Sequence, residues 1–392
     1  MSRFNALRLA FALCMITTAV NLQAPLYHAL AEEDGAGVGA TTIAFACYVV
    51  GIMPVLLALS GLPDKLGRRP LIVTALCLSL LATALTIIAP GLVTLGAARF
   101  LMGIGAALLS AAAPAYMLQL FKGQDKRVAA NWVTASTSLG FGLGAAVTSL
   151  FIMHSPSLTP PSLWLYLAAA TLALVLVAGV PDTSARQHHI KMLRLPAYPA
   201  GTLPFGLAIL LAWATVGLVI AILPSTLAQH GLSSWSGFAT FGICSCGVLF
   251  QPWARKLSPA ISTQLGLVIL PLAFALIAWG ALQGSLITVL TGTVAASSAC
   301  YGFIYLGGMS GVLAKAGEEQ HSRASAGFFL MAYIGFSLPV VFTGALIDHF
   351  GHDTAFKLFG AILLAGVMAV SWILRLSHMP NRQTGEASVR QD

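Results

Sequence analysis

Ser60-Gly61-Leu62-Pro63-Asp64-Lys65-Leu66-Gly67-Arg68-Arg69-Pro70 is a short polar hinge between two long apolar runs. Asp64, Lys65, Arg68 and Arg69 carry charge, while residues 40–60 and 71–89 around them carry none. A connection this compact reverses the chain sharply, and Gly67 and Pro70 are residue types suited to that turn. Each flanking run is near the length of about 20 residues that crosses a bilayer as a helix. Three cations at the end of such runs place the hinge on the cytoplasmic face.

The rest of the chain repeats this alternation. Of 392 residues, 58% are hydrophobic and only 8% charged, against about 25% charged in soluble domains. The chain therefore reads as an all-α, multi-pass integral membrane protein of the plasma (bacterial inner) membrane. Twelve apolar runs stand between polar breaks, at roughly 7–30, 40–60, 71–89, 92–119, 128–152, 162–180, 203–228, 236–254, 263–282, 286–314, 324–347 and 355–376. Arg3 and Arg8 before the first run give it the look of a signal peptide. It is read as an uncleaved first span, because only then is the number of spans even. Of 20 Lys and Arg, 18 lie at or beyond the ends expected to be cytoplasmic; Lys357 is opposite and Arg99 lies inside a run. That bias predicts both termini in the cytoplasm, and it accounts for the net charge of +8 without nucleic acid. All six cysteines fall within apolar runs and read as small buried residues, not as a disulfide framework.

The order Asp64-Lys65-x-Gly67-Arg68-Arg69 resembles the loop signature of the major facilitator superfamily of secondary transporters, Gly-x-x-x-Asp-Arg/Lys-x-Gly-Arg/Lys-Arg/Lys. Ser60 stands at the leading glycine, with Gly61 one place late. An ordinary positive-inside loop would explain the charges but not this order. Residues 247–256 echo the signature after the eighth run, with Gln251 at the Asp position and Arg255-Lys256 at the basic pair. Arg99-Phe-Leu-Met-Gly103-Ile-Gly105-Ala106-Ala107 resembles a second signature of the same family, on its fourth span. The resemblance implies twelve transmembrane helices in two pseudo-symmetric six-helix bundles. Here these are residues 1–180 and 203–376, joined by a cytoplasmic linker at 181–202 and followed by a disordered tail at 377–392. It also implies a gating role for Asp64, Lys65, Gly67, Arg68, Arg69 and Asp125. Asp64 would bond the first amides beyond Arg323, and Asp125 would pair with Arg68.

Arg99 is the sharpest chemical signal. An arginine at membrane depth costs at least about 2.5–3.5 kcal/mol on insertion scales, so it must face a polar cavity or a partner. The two readings are an attractor for an anionic substrate group and a structural arginine bonded to backbone carbonyls. Gly103, Ala106 and Ser110 follow it as a small-residue face. Trp132, Ser136, Gly140, Gly144 and Thr148 form another at four-residue spacing. Family antiporters carry a Gly-x-x-x-Gly-Pro motif there, and Ala145 replaces its proline. In the resembled fold, spans 1, 4, 7 and 10 line the cavity. Asn21, Arg99, Trp213, Tyr301 and Tyr305 are therefore the expected substrate-binding residues. None of the 12 carboxylates lies at a helix centre, so simple proton antiport lacks an evident proton site. Asp34, Asp348 and the outer histidines read mainly as solvated loop residues.

These features predict an alternating-access transporter that exports a small amphipathic or anionic organic compound, with proton antiport as one form of coupling. Uptake or facilitated diffusion of a small organic-anion metabolite is the alternative. No nucleophile or acid–histidine constellation marks an enzyme, catalytic residues and metal ligands are absent, and no cofactor is implied. Filter-like repeats of a channel and a phosphate-binding Gly-x-x-x-x-Gly-Lys-Ser/Thr loop are also missing. The expected partners are the bilayer, a small-molecule substrate and protons, with the chain acting as a monomer.

Overall fold

In a computed structural model the described residues are 2–58, 62–121, 126–182 and 195–376, and the side chains of Ser2, Ala58, Pro63, Asp64 and Lys126 lie outside that set. Among the described residues every regular element is a helix. Buried in lipid, a backbone must satisfy its own amides and carbonyls, and an apolar helix does so within one segment. The surface follows from the same solvent. Val93 is 88% exposed and Ile287 81%, whereas Thr83, Thr215, Thr293 and Arg99 are buried.

The chain begins with α1 (Ser2–Leu22), a 3-10 turn (Ala24–Leu26) and α2 (Tyr27–Glu33). Then come α3 (Val38–Ala58), the short hinge helix α4 (Leu62–Leu66), α5 (Arg68–Ile88), α6 (Leu92–Leu120), α7 (Lys126–His154) and α8 (Pro161–Ala178). After residue 195 follow α9 (Leu203–Ala221), α10 (Leu223–Ala228), α11 (Ser236–Ser245), α12 (Gln251–Ala254), α13 (Pro259–Gln283) and α14 (Leu286–Ser297). A π-helical stretch (Ser298–Ile304) leads into α15 (Tyr305–Lys315), and α16 (His321–Leu376) closes the described chain. Eleven helical segments among the described residues are long and apolar enough to cross a membrane. The last of these holds α16, whose 56 residues would make a rod of about 84 Å, far beyond a hydrocarbon core of about 30 Å. Gly351 breaks it: φ 80° and ψ 169° leave the helical region, in a conformation that glycine adopts at little steric cost.

Gly67 does the same at the hinge, with φ 93° immediately before α5. The backbone amides of Arg68 and Arg69 both donate to Asp182 Oδ2, at 2.8 and 2.9 Å. A carboxylate at a helix N-terminus satisfies orphan amides and meets the positive end of the macrodipole. The Arg68 guanidinium donates to the Ala115 carbonyl at 2.8 Å and to Gln119 Oε1 at 3.1 Å, and that of Arg69 to the Ala178 carbonyl at 3.2 Å. Arg323 Nε reaches the Leu195 carbonyl at 2.9 Å. The helix ends bearing these cations form one basic end of the bundle. His28, Glu32, Asp34, Asp348 and His352 mark the far end.

Close helix contacts occur where side chains are absent. A Cβ on Gly103 would strike the Tyr48 carbonyl and one on Gly51 the Phe100 carbonyl, so α3 and α6 touch backbone to backbone. Gly140 lies against Cys14 and Thr17, and Gly144 against the Thr18 carbonyl, which brings α7 onto α1. Proline breaks recur at Pro25, after α1, and at Pro224, after α9.

Candidate functional site

Between the helices before residue 182 and those after 203 lies a central cavity of about 390 Å³, within the range typical of small-molecule sites. Asn21, Trp213, Tyr301 and Tyr305 all line it, from α1, α9, the π segment and α15. Tyr48, Phe329, Tyr333 and Phe336 add ring surface, and no charged side chain is among the described lining residues. Trp213 is the hub of the rings. Its centroid is 5.2 Å from Tyr333, edge to face, 5.9 Å from Phe336 and 6.2 Å from Tyr301. Such offset and edge-on pairs match the ring quadrupoles and hold the walls rigid.

Two polar atoms in this apolar wall have no partner. Asn21 is 2% exposed. Its Nδ2 donates to the Phe141 carbonyl at 2.8 Å and approaches Cys244 Sγ at 3.8 Å, while its Oδ1 is unbonded. The acceptor at Phe141 fixes the amide orientation, because a flipped Asn21 would set oxygen against oxygen. Trp213 Nε1 is likewise buried and unbonded. Both atoms are shielded behind the lining side chains, so a ligand that supplies their complements pairs with them where those side chains move aside. The π segment puts Tyr301 in the wall and was not foreseen from sequence. Such insertions widen one helical turn and occur often at functional sites.

Arg99 stands elsewhere. Expected to face the cavity, it is fully buried and absent from the lining. Its Nη1 donates to the Val20 carbonyl and its Nε to the Phe45 carbonyl at 3.4 Å. Its guanidinium lies 4.6 Å from the centre of the Phe45 ring and 4.7 Å from that of Tyr48. Cation–π attraction and two carbonyls hold the charge inside protein, while its Nη2 is buried without a hydrogen-bond partner. In this conformation Val20 and Tyr48 stand between it and the cavity. Of the small residues that follow it, Gly103 serves the α3 contact, whereas Ala106 and Ser110 reach the cavity wall.

Pro114, Gln251, Met309 and Ser325 continue the lining toward the basic end. The far end is bridged. Asp348, on α16, accepts from the amides of Val38 and Gly39 at 2.8 and 2.9 Å. Ser149, on α7, accepts from the amide of Gly237 at 2.9 Å. Phe45 and Phe336 meet at 4.7 Å just below. Asp348 is thus tied across the bundle, not the free loop residue that its position in the sequence suggests. Of the gating residues, Lys65 is exposed, and Gly67, Arg68 and Arg69 form the start of α5 described above. Asp125 and the side chain of Asp64 lie outside the described residues. Arg68 bonds α6 through Ala115 and Gln119, and Asp182, a residue to which sequence reasoning gave no role at the hinge, caps α5.

A helical membrane bundle around a cavity open toward one end and bridged at the other defines the carrier class of transport protein. The family model of the Major Facilitator Superfamily matches residues 9–338, and the chain belongs to that family of secondary transporters. An uncharacterized transporter of Rickettsia bellii is 28% identical over 121 residues, a stretch that spans 30% of this chain and 30% of the relative. Among solved structures, the nucleoside transporter NupG is similar with a TM-score of 0.70 at 14% identity, covering 95% of this chain and 99% of that one. A POT family transporter in complex with 5-aminolevulinic acid has a TM-score of 0.72 at 13% identity, covering 96% of both. The human organic anion transporter MFSD10 has 0.64 at 17%, covering 94% and 99%. At these identities the likeness concerns the fold.

Proposed function

We propose that this secondary transporter carries a small, uncharged amphipathic compound with a planar or aromatic part, and that it does so as an exporter. The observation that supports the reading is the cavity wall, which gathers aromatic rings with Asn21 and Trp213, whose Oδ1 and Nε1 are buried and unbonded, and in which no described side chain is charged. With Arg99 turned away, an anionic cargo loses the group that recommended it. Residues 1–180 and 203–376 act as two six-helix bundles, twelve spans once α16 is divided at Gly351, that rock about the cavity. The basic end is cytoplasmic by its Lys and Arg excess, so the conformation described is inward-facing. The glycine-mediated contact of α7 with α1 stands where family antiporters carry their glycine motif, and it is what favours export.

Reconstitution in proteoliposomes tests this reading. Flux of a neutral aromatic solute toward the face distal to the basic end, accelerated by an opposed proton gradient, is the expected result. Net uptake indifferent to the gradient would favour a facilitator. Preference for a carboxylate over its neutral isostere would refute the substrate class.

A further inference from the structure

The two bridges that shut the far end are related by internal symmetry. Residues 38 and 237 are separated by the same 199 positions as residues 149 and 348. In each bridge a first-turn amide, which has no intrahelical partner, donates to a side chain near the end of a helix from the other half of the chain. The acceptors differ in kind. Ser149 is a neutral hydroxyl, whereas Asp348 is a carboxylate holding two amides at once. Gly37 and Gly39 leave room for that carboxylate, since a Cβ on either would strike it.

Asp348 also lines a second cavity, of about 420 Å³, at this end. The polar and titratable groups around it come from several neighbouring elements. From α2 come His28 and Glu32, whose Nε2 and Oε1 are 3.5 Å apart. From α10 come Ser225 and Gln229, both touching His352; the Gln229 amide nitrogen lies 2.7 Å from its Nδ1 and Ser225 Oγ 3.4 Å from its Nε2. Beyond the Gly351 break, His352 shares the cavity with Asp348, while Asp353 is paired with Lys357 at 2.6 Å. The start of α3 contributes amides only. Asp348 itself remains open to solvent on one side, so protons reach it directly.

We propose that Asp348 is a proton-binding latch: ionised, it holds the far end shut through α3, and protonation within the His28–Glu32–His352 crevice releases it. Ionised, Asp348 is a charged acceptor for both amides, and hydrogen bonds to a charged acceptor are shorter and stronger than neutral ones. Adding a proton removes the charge and leaves the amides with a weaker acceptor. His352 pulls the same way. Burial, opposed by nearby Asp348 and reinforced by His28, holds its pKa below the usual 6.5. The shut state therefore binds fewer protons than an open, hydrated one. It is favoured fully above the ordinary histidine range and loses that advantage as pH falls below it. The symmetric Ser149 bridge has no such dependence. This supplies a proton site in a family member without a mid-membrane carboxylate, and it holds whatever the cargo is.

Hydrogen exchange on the full-length purified protein reads the latch directly through the peptides that contain Val38–Gly39 and Gly237. Between about pH 7.5 and about pH 3, a window that spans both the histidine and the carboxylate ranges, after correction for intrinsic rates, protection of both peptides should fall at least about fivefold. Asp348→Asn should be poorly protected at both values and nearly independent of pH. Ser149→Ala should lose protection overall yet keep the wild-type pH response, and His352→Gln should shrink that response. Wild-type protection that is flat with pH would overturn the proposal even if a variant failed to fold. An undiminished response in Asp348→Asn would do so as well.

Discussion

Replacing Arg99 separates a structural arginine from a substrate-binding one. The guanidinium makes two bonds to carbonyls and lies on two ring faces. Charge-assisted bonds contribute about 1.5–3 kcal/mol each, and the ring contacts about 0.5–2 kcal/mol each. Against this stands a burial cost of several kcal/mol for any ion in low dielectric. Arg99→Met loses the contacts but also removes the burial cost, which leaves a net destabilisation of about 1–3 kcal/mol. Arg99→Lys keeps the charge, yet its compact ammonium cannot span both carbonyls or stack between the rings, and it should lose about 3–5 kcal/mol. The expected stability order is therefore Arg, then Met, then Lys, the reverse of conservation of charge. Thermal unfolding in detergent, followed by intrinsic fluorescence, measures it. A lysine variant as stable as wild type, or a methionine variant of full stability that no longer transports, would refute the reasoning.

Three further outcomes follow from named contacts. Trp213→Ala should weaken ligand binding at least about tenfold, or 1.4 kcal/mol, while the protein stays folded; Trp213→Phe should recover the ring contribution but not the hydrogen bond, as titration calorimetry would show. Asp182→Ala uncaps α5 and should lower stability by about 0.5–2 kcal/mol, with Asp182→Asn intermediate in the same melting assay. Gly144→Leu forces α7 away from the Thr18 carbonyl and should cost more than the about 1–3 kcal/mol of ordinary overpacking, visible as loss of monodisperse protein on size exclusion.

Much of the fold was legible because the bilayer imposes it. Run length and the hinge at Gly67 report requirements local to a few residues. The site was legible in part. Asn21, Trp213, Tyr301 and Tyr305 reach the cavity, as the family resemblance implied by assigning spans 1, 4, 7 and 10 to its wall. Periodicity does not give what fills the space at a particular depth. Arg99 lies nearly on the same face as Ala106, about 10 Å away along the helix, yet Tyr48 and Val20 close over it. The Asp182 cap on α5 and the Asp348 bridge to α3 join residues 113 and 309 or more positions apart, and nothing in either local sequence announces them. The π segment was hidden for another reason: its residues read as any apolar helix.

The proposed docking place is the uncharged aromatic cavity. Its most direct measurement is isothermal titration of the purified transporter with a matched pair of aromatic compounds, one a primary amide and the other the corresponding carboxylate, in wild type and Asn21→Leu. Heat of binding for the amide alone, abolished in Asn21→Leu and preserved in Arg99→Met, is the predicted result. Tighter binding of the carboxylate, lost in Arg99→Met and retained in Asn21→Leu, would contradict it.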